Sequence, residues 1–596
     1  MSDYVAPLKD MQFVLKELAG IDEIAGLPGC EEVSVDLVDQ ILEESGKFCA
    51  EVLAPLNQPG DAEGAKWDQG RVTMPKGFKA AYKQFVDGGW NALQFPPEFG
   101  GQGLPKLVAT PVMEMGKAAN LSFSLCPLLT GGAIEALLLR GSDALKKTFL
   151  PKMVEGIWTG SMNLTEPQAG SDLALVKAKA VREGDHYRIS GQKIFITYGE
   201  HDLAENIVHL VLARTPDAPE GVKGISLFIV PKFLVNADGS LGKRNDVHCA
   251  SIEHKLGIHA SPTAVLIFGE KDGAIGHLIG QENQGLAYMF IMMNAARFGV
   301  GLEGVAISDR AYQLALSYAK ERVQSRDLAG GAKPVPIIRH PDVRRMLMSM
   351  KARTEAMRAL AYVVAAAMDI ARSDPDQALR AKHQAFVDMM IPVVKGWSTE
   401  TCIEVASTGI QVHGGMGYVE ETGAAQLLRD ARITTIYEGT TAIQSNDLVG
   451  RKLAREGGAT AKEVIKAMRV VEGELAQAQG EDMAAIRASF AAGIKAVEES
   501  ASWIVSTYAA DVKAVHAGSV PFLMLMGTVC GGWQMARAAL VAHKRLAARE
   551  GDAAFYQAKI ATARFYADHV LTQAAGLRNT VVRGAAGVMA LSEEQF

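Results

Sequence analysis

Several things are scarce or missing from this chain, and each absence closes off a class of protein. Charge of one sign is not in excess. The 61 Lys and Arg stand against 67 Asp and Glu, a formal charge of -6 with 21% charged residues, so there is no basic footprint for a nucleic acid and no nucleic-acid partner is expected. Cysteine is sparse. Cys30, Cys49, Cys126, Cys249, Cys402 and Cys530 are scattered without a CxxC pair, which suggests neither a metal site nor a disulfide framework and reads as reduced core thiols. A leader is not visible either, because Asp3, Lys9, Asp10, Lys16 and Glu17 interrupt the first twenty residues; with no targeting address, a cytoplasmic location is expected. Last, a membrane span is missing. The most apolar run, Val520 to Trp533, contains Pro521, Gly527, Gly531 and Gly532, falls short of the ~20 residues a span needs, and reads as a buried helix.

What is present is a long chain of ordinary globular composition. At 596 residues and 48% hydrophobic it exceeds one core, and roughly three or four domains are expected. Residues 1–155 read as helices, with Val38, Ile41, Leu42 and Phe48 among the apolar positions and Phe78, Tyr82 and Phe85 at helical spacing. The cluster Phe95-Pro96-Pro97-Glu98-Phe99-Gly100-Gly101 breaks them with a rigid turn. Residues 156–280 switch to strand signals: Tyr187 and Ile189 alternate after a Glu183-Gly184-Asp185 turn, and 207–212, 225–230 and 264–268 are short β-rich runs. Within them the polar link from Lys232 to Ala250 is expected to be a surface loop.

Helical periodicity returns over 281–452 and again over 453–596. In the last region Met483, Ile486, Phe490, Ile494, Val497, Ala501, Ile504 and Tyr508 recur every three or four residues, as do Val464, Met468, Val471 and Leu475, the pattern of a bundle core or subunit interface. The string Gly299-Val300-Gly301-Leu302-Glu303-Gly304 has GxGxxG spacing. The residues before it, including Asn294, Ala295, Ala296 and Arg297, read as helix and not as a strand entering a βαβ unit, so nicotinamide binding is rejected in favour of close helix packing. The fold class is α+β, mainly helical.

One stretch organises the chain: Ile433-Thr434-Thr435-Ile436-Tyr437-Glu438-Gly439-Thr440-Thr441-Ala442-Ile443-Gln444. A single carboxylate lies between an Ile-Tyr pair and a glycine, an environment that is partly apolar and lets backbone approach a ligand closely. Desolvation raises a carboxylate's proton affinity, which suits a base that must take a weakly acidic C–H proton. A loop carboxylate or a capping residue is the alternative for a lone Glu.

The string IYEGTTAIQ resembles the base-bearing segment of the acyl-CoA dehydrogenases, and TEPQAGSD and QVHGGMGY match the same family in the same order. The resemblance spans residues from about 40 to 450 and includes the Pro-Pro-Glu turn. It implies the acyl-CoA dehydrogenase fold: a helical domain, a central β domain and a helical bundle, here with an extra C-terminal helical domain. In activity it implies oxidation of an acyl-CoA thioester to its trans-2-enoyl form with FAD as cofactor. In whole-chain plan the protein resembles the larger bacterial members, which implies short to medium acyl chains, a thioether-bearing one included. Electrons would pass to electron-transferring flavoprotein. A straight-chain fatty acyl-CoA dehydrogenase of beta-oxidation, an acyl-CoA oxidase, using oxygen, and a non-enzymatic acyl-CoA- or nucleic-acid-binding homologue are the rivals.

Residue by residue, the resemblance makes Glu438 the base, with Tyr437 and Gly439 beside the substrate and Thr440 beside the cofactor. Leu164 and Thr165 would contact the flavin ring and Ser171 its pyrophosphate, with Ser171 also near substrate. Thr197 would meet flavin N5, and Phe195 stands where the family often has tryptophan. An ordinary strand threonine is the alternative for Thr197. Arg322, Gln411 and Gly415 match positions that reach the distal half of FAD in a neighbouring subunit, which implies a homodimer or homotetramer. Arginine suits a diphosphate because its planar fork donates two parallel charge-assisted bonds. Ser325 replaces a usual phenylalanine, and a glycine-rich insertion from Ala329 to Lys333 follows. His413 reads as a packing residue more than a ligand. Arg297 matches a helix arginine near the acyl-CoA site, with a surface ion pair as the alternative. Some relatives place their catalytic glutamate at the position of Ala296, so Glu438 has no rival there.

Overall fold

A computed structural model describes residues 4–596. They form two compact units, one of residues 47–104 and 119–299, the other of residues up to 46, 105–118 and 300–596.

The first unit is built on eight strands: β1 (Trp158–Asn163), β2 (Lys179–Glu183), β3 (His186–Thr197), β4 (Asn206–Ala213), β5 (Ser226–Pro231), β6 (Val247–Ile252), β7 (Thr263–Phe268) and β8 (Ala274–Leu278). Their spatial order is β6-β7-β3-β8-β5-β4-β1, with β2 paired to β3. β1 and β4 run parallel and the other pairs antiparallel. Every residue of β4 and β5 is buried, because both faces of the sheet are covered, and such strands read as unbroken apolar runs. One face packs Trp158, Leu210 and Ile229 against Ile134, Leu137 and Met153 of helices α1 (Leu121–Arg140) and α2 (Asp143–Glu155). The other buries Tyr187, Val211, Phe228 and Leu266. Each helix starts on a side-chain cap: Asn120 accepts from Phe123 N–H at 3.1 Å and Ser142 from Leu145 N–H at 3.3 Å. Contact between α1 and β1 depends on Gly160, where a Cβ would lie 2.6 Å from that of Ala133. Phe78, Tyr82 and Phe85 all meet Phe123, as their helical spacing requires.

Three expectations need correction here. The link 232–250 is not a loop. Phe233–Val235 and Leu241–Arg244 form a hairpin, and β6 is an edge strand of the main sheet. The hairpin turns through Asn236 to Ser240 with Gly239 at φ +81°, and the Asn245 amide donates to the Pro231 and Ile275 carbonyls at 3.0 and 2.8 Å. Val247 and Cys249 do alternate into the core, a period of two that the polar residues around them obscure. The N-terminal region is likewise not all helix, since Lys66–Asp68 and Arg71–Thr73 pair around a Gln69-Gly70 turn. Val520 to Trp533 does lie in a buried helix as expected, but it is not the most apolar stretch of the chain. Leu121–Arg140 and Gly285–Glu321 are long and apolar enough to cross a membrane by composition, with mean hydropathies of 1.6 and 1.3, but 72% of each window is buried in the protein.

The second unit is helical. α3 (Gly285–Glu321) enters it, followed by α4 (Pro341–Ser373), α5 (Gln377–His413), the short α6 (Thr441–Asn446), then α7 (Ala459–Gln477), α8 (Glu481–Thr507), α9 (Ser519–Ala548) and α10 (Ala553–His569). The GxGxxG string lies within α3, where a Cβ on Gly301 or Gly304 would sit 2.8 Å from Val394 O or 2.5 Å from Ser398 O of α5. Close helix packing is therefore what those glycines do. The stripes on α7 and α8 are buried as expected, apart from a half-buried Tyr508. Gly527 of α9 faces Trp397 of α5, with a Cβ position 2.1 Å from its ring. A buried charge network ties the ends of the chain to the middle: Arg358 donates to Glu114, Asp10 and Asp309 at 2.8, 2.6 and 2.9 Å, and Lys559 of α10 bonds Asp10 and, at 2.8 Å, Glu355. All six cysteines are free and buried.

Candidate active site

In the β unit, the loop after β1 and the end of β3 come together. Leu164 is buried and Thr165 half-buried, and both carbonyls are taken from β3: the Lys193 ammonium donates to Leu164 O at 3.0 Å and Ile194 N–H to Thr165 O at 2.9 Å. The loop itself is wound around Glu166. Its carboxylate accepts from Lys193 at 2.8 Å and from the N–H groups of Lys177 and Ala178 at 2.7 and 3.0 Å. Burial pulls the Lys193 ammonium down to about 8, against the pull of Glu166 in the other direction. Burial would raise the Glu166 carboxyl, but Lys193 and the two N–H groups hold it below the usual range. Ser171 lies on the exposed part of this loop.

β3 ends in a bulge. Ala264 pairs with Ile196 while Leu266 pairs with Lys193, so β3 carries one extra residue. Phe195 absorbs it at φ +58°, and its ring is 60% exposed. Glycine usually takes such a position; a phenylalanine there is locally strained and is held by the pairing on both sides. Tyr198 is also left-handed, at φ +50°, with its hydroxyl donating to Ser122 O at 2.7 Å. Thr197 lies between them, half-buried and paired with Thr263. Arg297 is 5% exposed and stands 5.9 Å over the Phe290 ring, so it is not a surface residue.

In the helical unit, the Tyr437 to Thr440 turn leads into α6. Glu438 has φ +56° and Gly439 φ +88°, two successive left-handed residues, of which the first carries a side chain. Five hydrogen bonds made by side chains hold this turn. The Lys395 ammonium donates to Gly439 O at 2.8 Å. The Gln444 amide donates to the Glu438 and Gly439 carbonyls at 3.1 and 3.2 Å. Thr440 caps α6 by accepting from Ile443 N–H at 3.3 Å, a structural task for a residue read as cofactor-binding. The Tyr437 hydroxyl donates to Glu303. Gly439 has a reason in the fold itself: a Cβ would lie 2.8 Å from the Gln444 amide nitrogen.

Gln411 and Gly415 are exposed at the end of α5, and Gln411 lines an open cleft of about 300 Å³ with Arg345, Met346, Ser349, Ser407 and Thr408. Arg322 is exposed just beyond α3, its guanidinium donating to Gln324 at 3.2 Å. His413 is buried, stacks on Tyr318 and hydrogen-bonds the Gly409 carbonyl at 2.7 Å, which makes it the packing residue expected.

Lys193, Glu166, Lys395, Glu303 and Gln444 had no role assigned from sequence. A signal for three of them was available. Lys193, Glu303 and Lys395 are lone charges in apolar runs, and a lone charge that ends up buried must find a partner.

The chain matches four family models in sequence: acyl-CoA dehydrogenase, N-terminal domain, over 38–157; middle domain over 161–270; C-terminal domain over 283–453; and acetyl-CoA dehydrogenase C-terminal like over 460–592. It is 53% identical over 578 residues to the 3-methylmercaptopropionyl-CoA dehydrogenase of Ruegeria pomeroyi, covering 96% of each protein. It is 35% identical over 615 residues to a butyryl-CoA dehydrogenase of Syntrophomonas wolfei, covering 100% of this chain and 99% of that one. Among solved structures, an acyl-CoA dehydrogenase of Bacillus anthracis complexed with FAD shares the fold with a TM-score of 0.74 at 21% identity, over 96% of this chain and 92% of that one. More than half identical to a named member along nearly its full length, and carrying the family's domains end to end, the chain belongs to the acyl-CoA dehydrogenase family.

Proposed function

We propose that Glu438 is the base of an FAD-dependent α,β-dehydrogenation of an acyl-CoA thioester. The observation that supports this most is the turn itself: a non-glycine residue in a left-handed conformation, with the carbonyls of Glu438 and Gly439 fixed by Lys395 and Gln444. Such strain persists only where surrounding contacts over-determine it, and it concentrates at functional sites. Fixing the backbone fixes the point and direction from which the Glu438 side chain leaves the turn, which limits where its carboxylate can meet the α carbon. The Glu438 N–H polarises the thioester carbonyl as negative charge develops there.

The residues of the β unit fit a flavin. The bulge turns an aromatic ring outward at Phe195, which suits a planar partner, and half-buried Thr165, whose carbonyl accepts from Ile194 N–H, lies beside the stretch of β3 that ends in half-buried Thr197. Bound FAD supplies the hydride acceptor, since no side chain accepts hydride. Leu164, Thr165, Phe195 and Thr197 hold the ring, and Ser171 the pyrophosphate. Arg322, Gln411 and Gly415 reach the distal half of FAD in a second copy of the chain, so the enzyme is a homodimer or homotetramer. Arg297 lies near the acyl-CoA.

The substrate we propose is 3-methylmercaptopropionyl-CoA, with butyryl-CoA next, on the strength of the two full-length relatives. Electron-transferring flavoprotein accepts the electrons, in a cytoplasmic enzyme without a membrane or nucleic-acid partner. The four-part division of the chain at about 155, 280 and 452 belongs to the same reading.

Anaerobic stopped-flow bleaching of bound flavin tests it. Across a panel of acyl-CoAs, the fastest bleaching is expected with the methylmercapto substrate. Glu438→Gln should keep FAD and acyl-CoA while losing about 10²- to 10⁴-fold in rate. A protein that takes up no FAD, or a Glu438→Gln variant that bleaches like the wild type, overturns the proposal. Stoichiometric peroxide release under air would identify an oxidase instead.

A further inference from the structure

Next to the Glu438 turn lies a buried ion pair, Glu303 and Lys117. Glu303 of α3 is fully buried, one carboxylate oxygen accepting the Tyr437 hydroxyl and the other 3.5 Å from the Lys117 ammonium of the helix Lys106–Ala119, itself buried. A glutamate in an apolar helix run is costly unless its charge is matched, and Lys117 is the match. Burial pushes the Glu303 carboxyl up and the Lys117 ammonium down, while each opposes the other's shift.

The placement matters more than the pair. Tyr437 is the residue before the left-handed Glu438, and on its far side Lys395 and Gln444 fix the two carbonyls that follow. The turn is therefore pinned after Glu438 by its two carbonyls, and before it by the Tyr437 N–H, which donates to Ile433 O at 3.1 Å, and by the one side-chain bond of the Tyr437 phenol. We propose that Glu303, with Lys117 as its counter-charge, is a positioning residue that sets the direction of the Glu438 carboxylate through the Tyr437 hydroxyl. The proposal rests on Glu438 being the base. It requires Glu303 as a hydrogen-bond acceptor and Lys117 only as charge balance, so replacing the pair with an uncharged acceptor and an apolar stem should preserve the effect.

The test uses the holoenzyme and anaerobic flavin bleaching at saturating and limiting acyl-CoA. Tyr437→Phe and Glu303→Leu should each slow the limiting bleaching rate about tenfold, with FAD content and half-saturating acyl-CoA within about twofold of wild type. The double variant should be no slower than the slower single, because both changes cut the same link. Lys117→Met/Glu303→Gln, which retains the acceptor, should stay within about threefold of wild type. Should Glu303→Leu fail to fold, Tyr437→Phe and the Lys117→Met/Glu303→Gln pair decide the matter alone. A wild-type rate for Tyr437→Phe, multiplicative losses in the double variant, or a Lys117→Met/Glu303→Gln pair as slow as Tyr437→Phe would overturn the inference. Glu438→Gln separates the two failures. If it abolishes bleaching while Tyr437→Phe bleaches at the wild-type rate, the positioning role falls and the base stands; if it bleaches normally, the base assignment is lost.

Discussion

Gly439→Ala is a one-carbon test of how the base turn is held. Gly439 sits at φ +88°, where a side chain costs about 1–2 kcal/mol. The added Cβ would lie 2.8 Å from the Gln444 amide nitrogen and 3.2 Å from Ile443 Cγ2, so the amide must move. Moving it breaks its bonds to the Glu438 and Gly439 carbonyls, now 3.1 and 3.2 Å long, worth about 1 kcal/mol each. The sum is about 3–4 kcal/mol against the present geometry, which would deplete the competent turn by about 150-fold or more. Lys395 still holds the Gly439 carbonyl, so the lower end is expected. The assay is the limiting rate of anaerobic flavin bleaching, with FAD content measured alongside. Gly473→Ala is the control: it lies exposed within α7 with no atom within 4 Å of its Cβ position and should be neutral or slightly stabilising. If Gly439→Ala bleaches within twofold of wild type, the turn is not held by the contacts described here.

Other consequences are open to measurement. His201 and His209 are buried against Thr159 and Ser161, and burial pulls both down to about 3. They are neutral when folded and charge more readily when unfolded, so their contribution is present above about pH 6.5 and is lost as the pH falls toward 3. The stability slope is up to about 1.4 kcal/mol per pH unit for each histidine. The urea midpoint of the β unit should therefore fall between pH 6.5 and 5, and a flat midpoint would show that they are not buried neutral. Lys559→Met leaves Asp10 and Glu355 with less compensating charge and should destabilise the helical unit by about 3–5 kcal/mol, seen as a lower urea midpoint by far-UV circular dichroism; an unchanged midpoint refutes it. Lys193→Met should loosen the 164–178 loop by stripping Glu166 of its cation, with weaker FAD retention on dialysis as the readout and full retention as the contrary result.

The sequence by itself determined the parts whose signal is local. Helix stripes on α7 and α8, the strand runs that became β4, β5 and β7, and the helical setting of Gly301 and Gly304 follow from periodicity, because a residue's neighbours along the chain decide which face it can bury. The motif order pointed to the family for the same reason. Only tertiary structure decided the rest. Val247 and Cys249 belong to an edge strand because β7 is there to pair with them, which polar neighbours in the sequence hide. Phe195 is turned outward by a bulge whose extra residue exists only relative to β7. The Tyr437 hydroxyl donates to Glu303 because α3 brings that carboxylate to it from 134 positions away. Buried charges find partners across such distances, and no window along the chain reports which partner that will be.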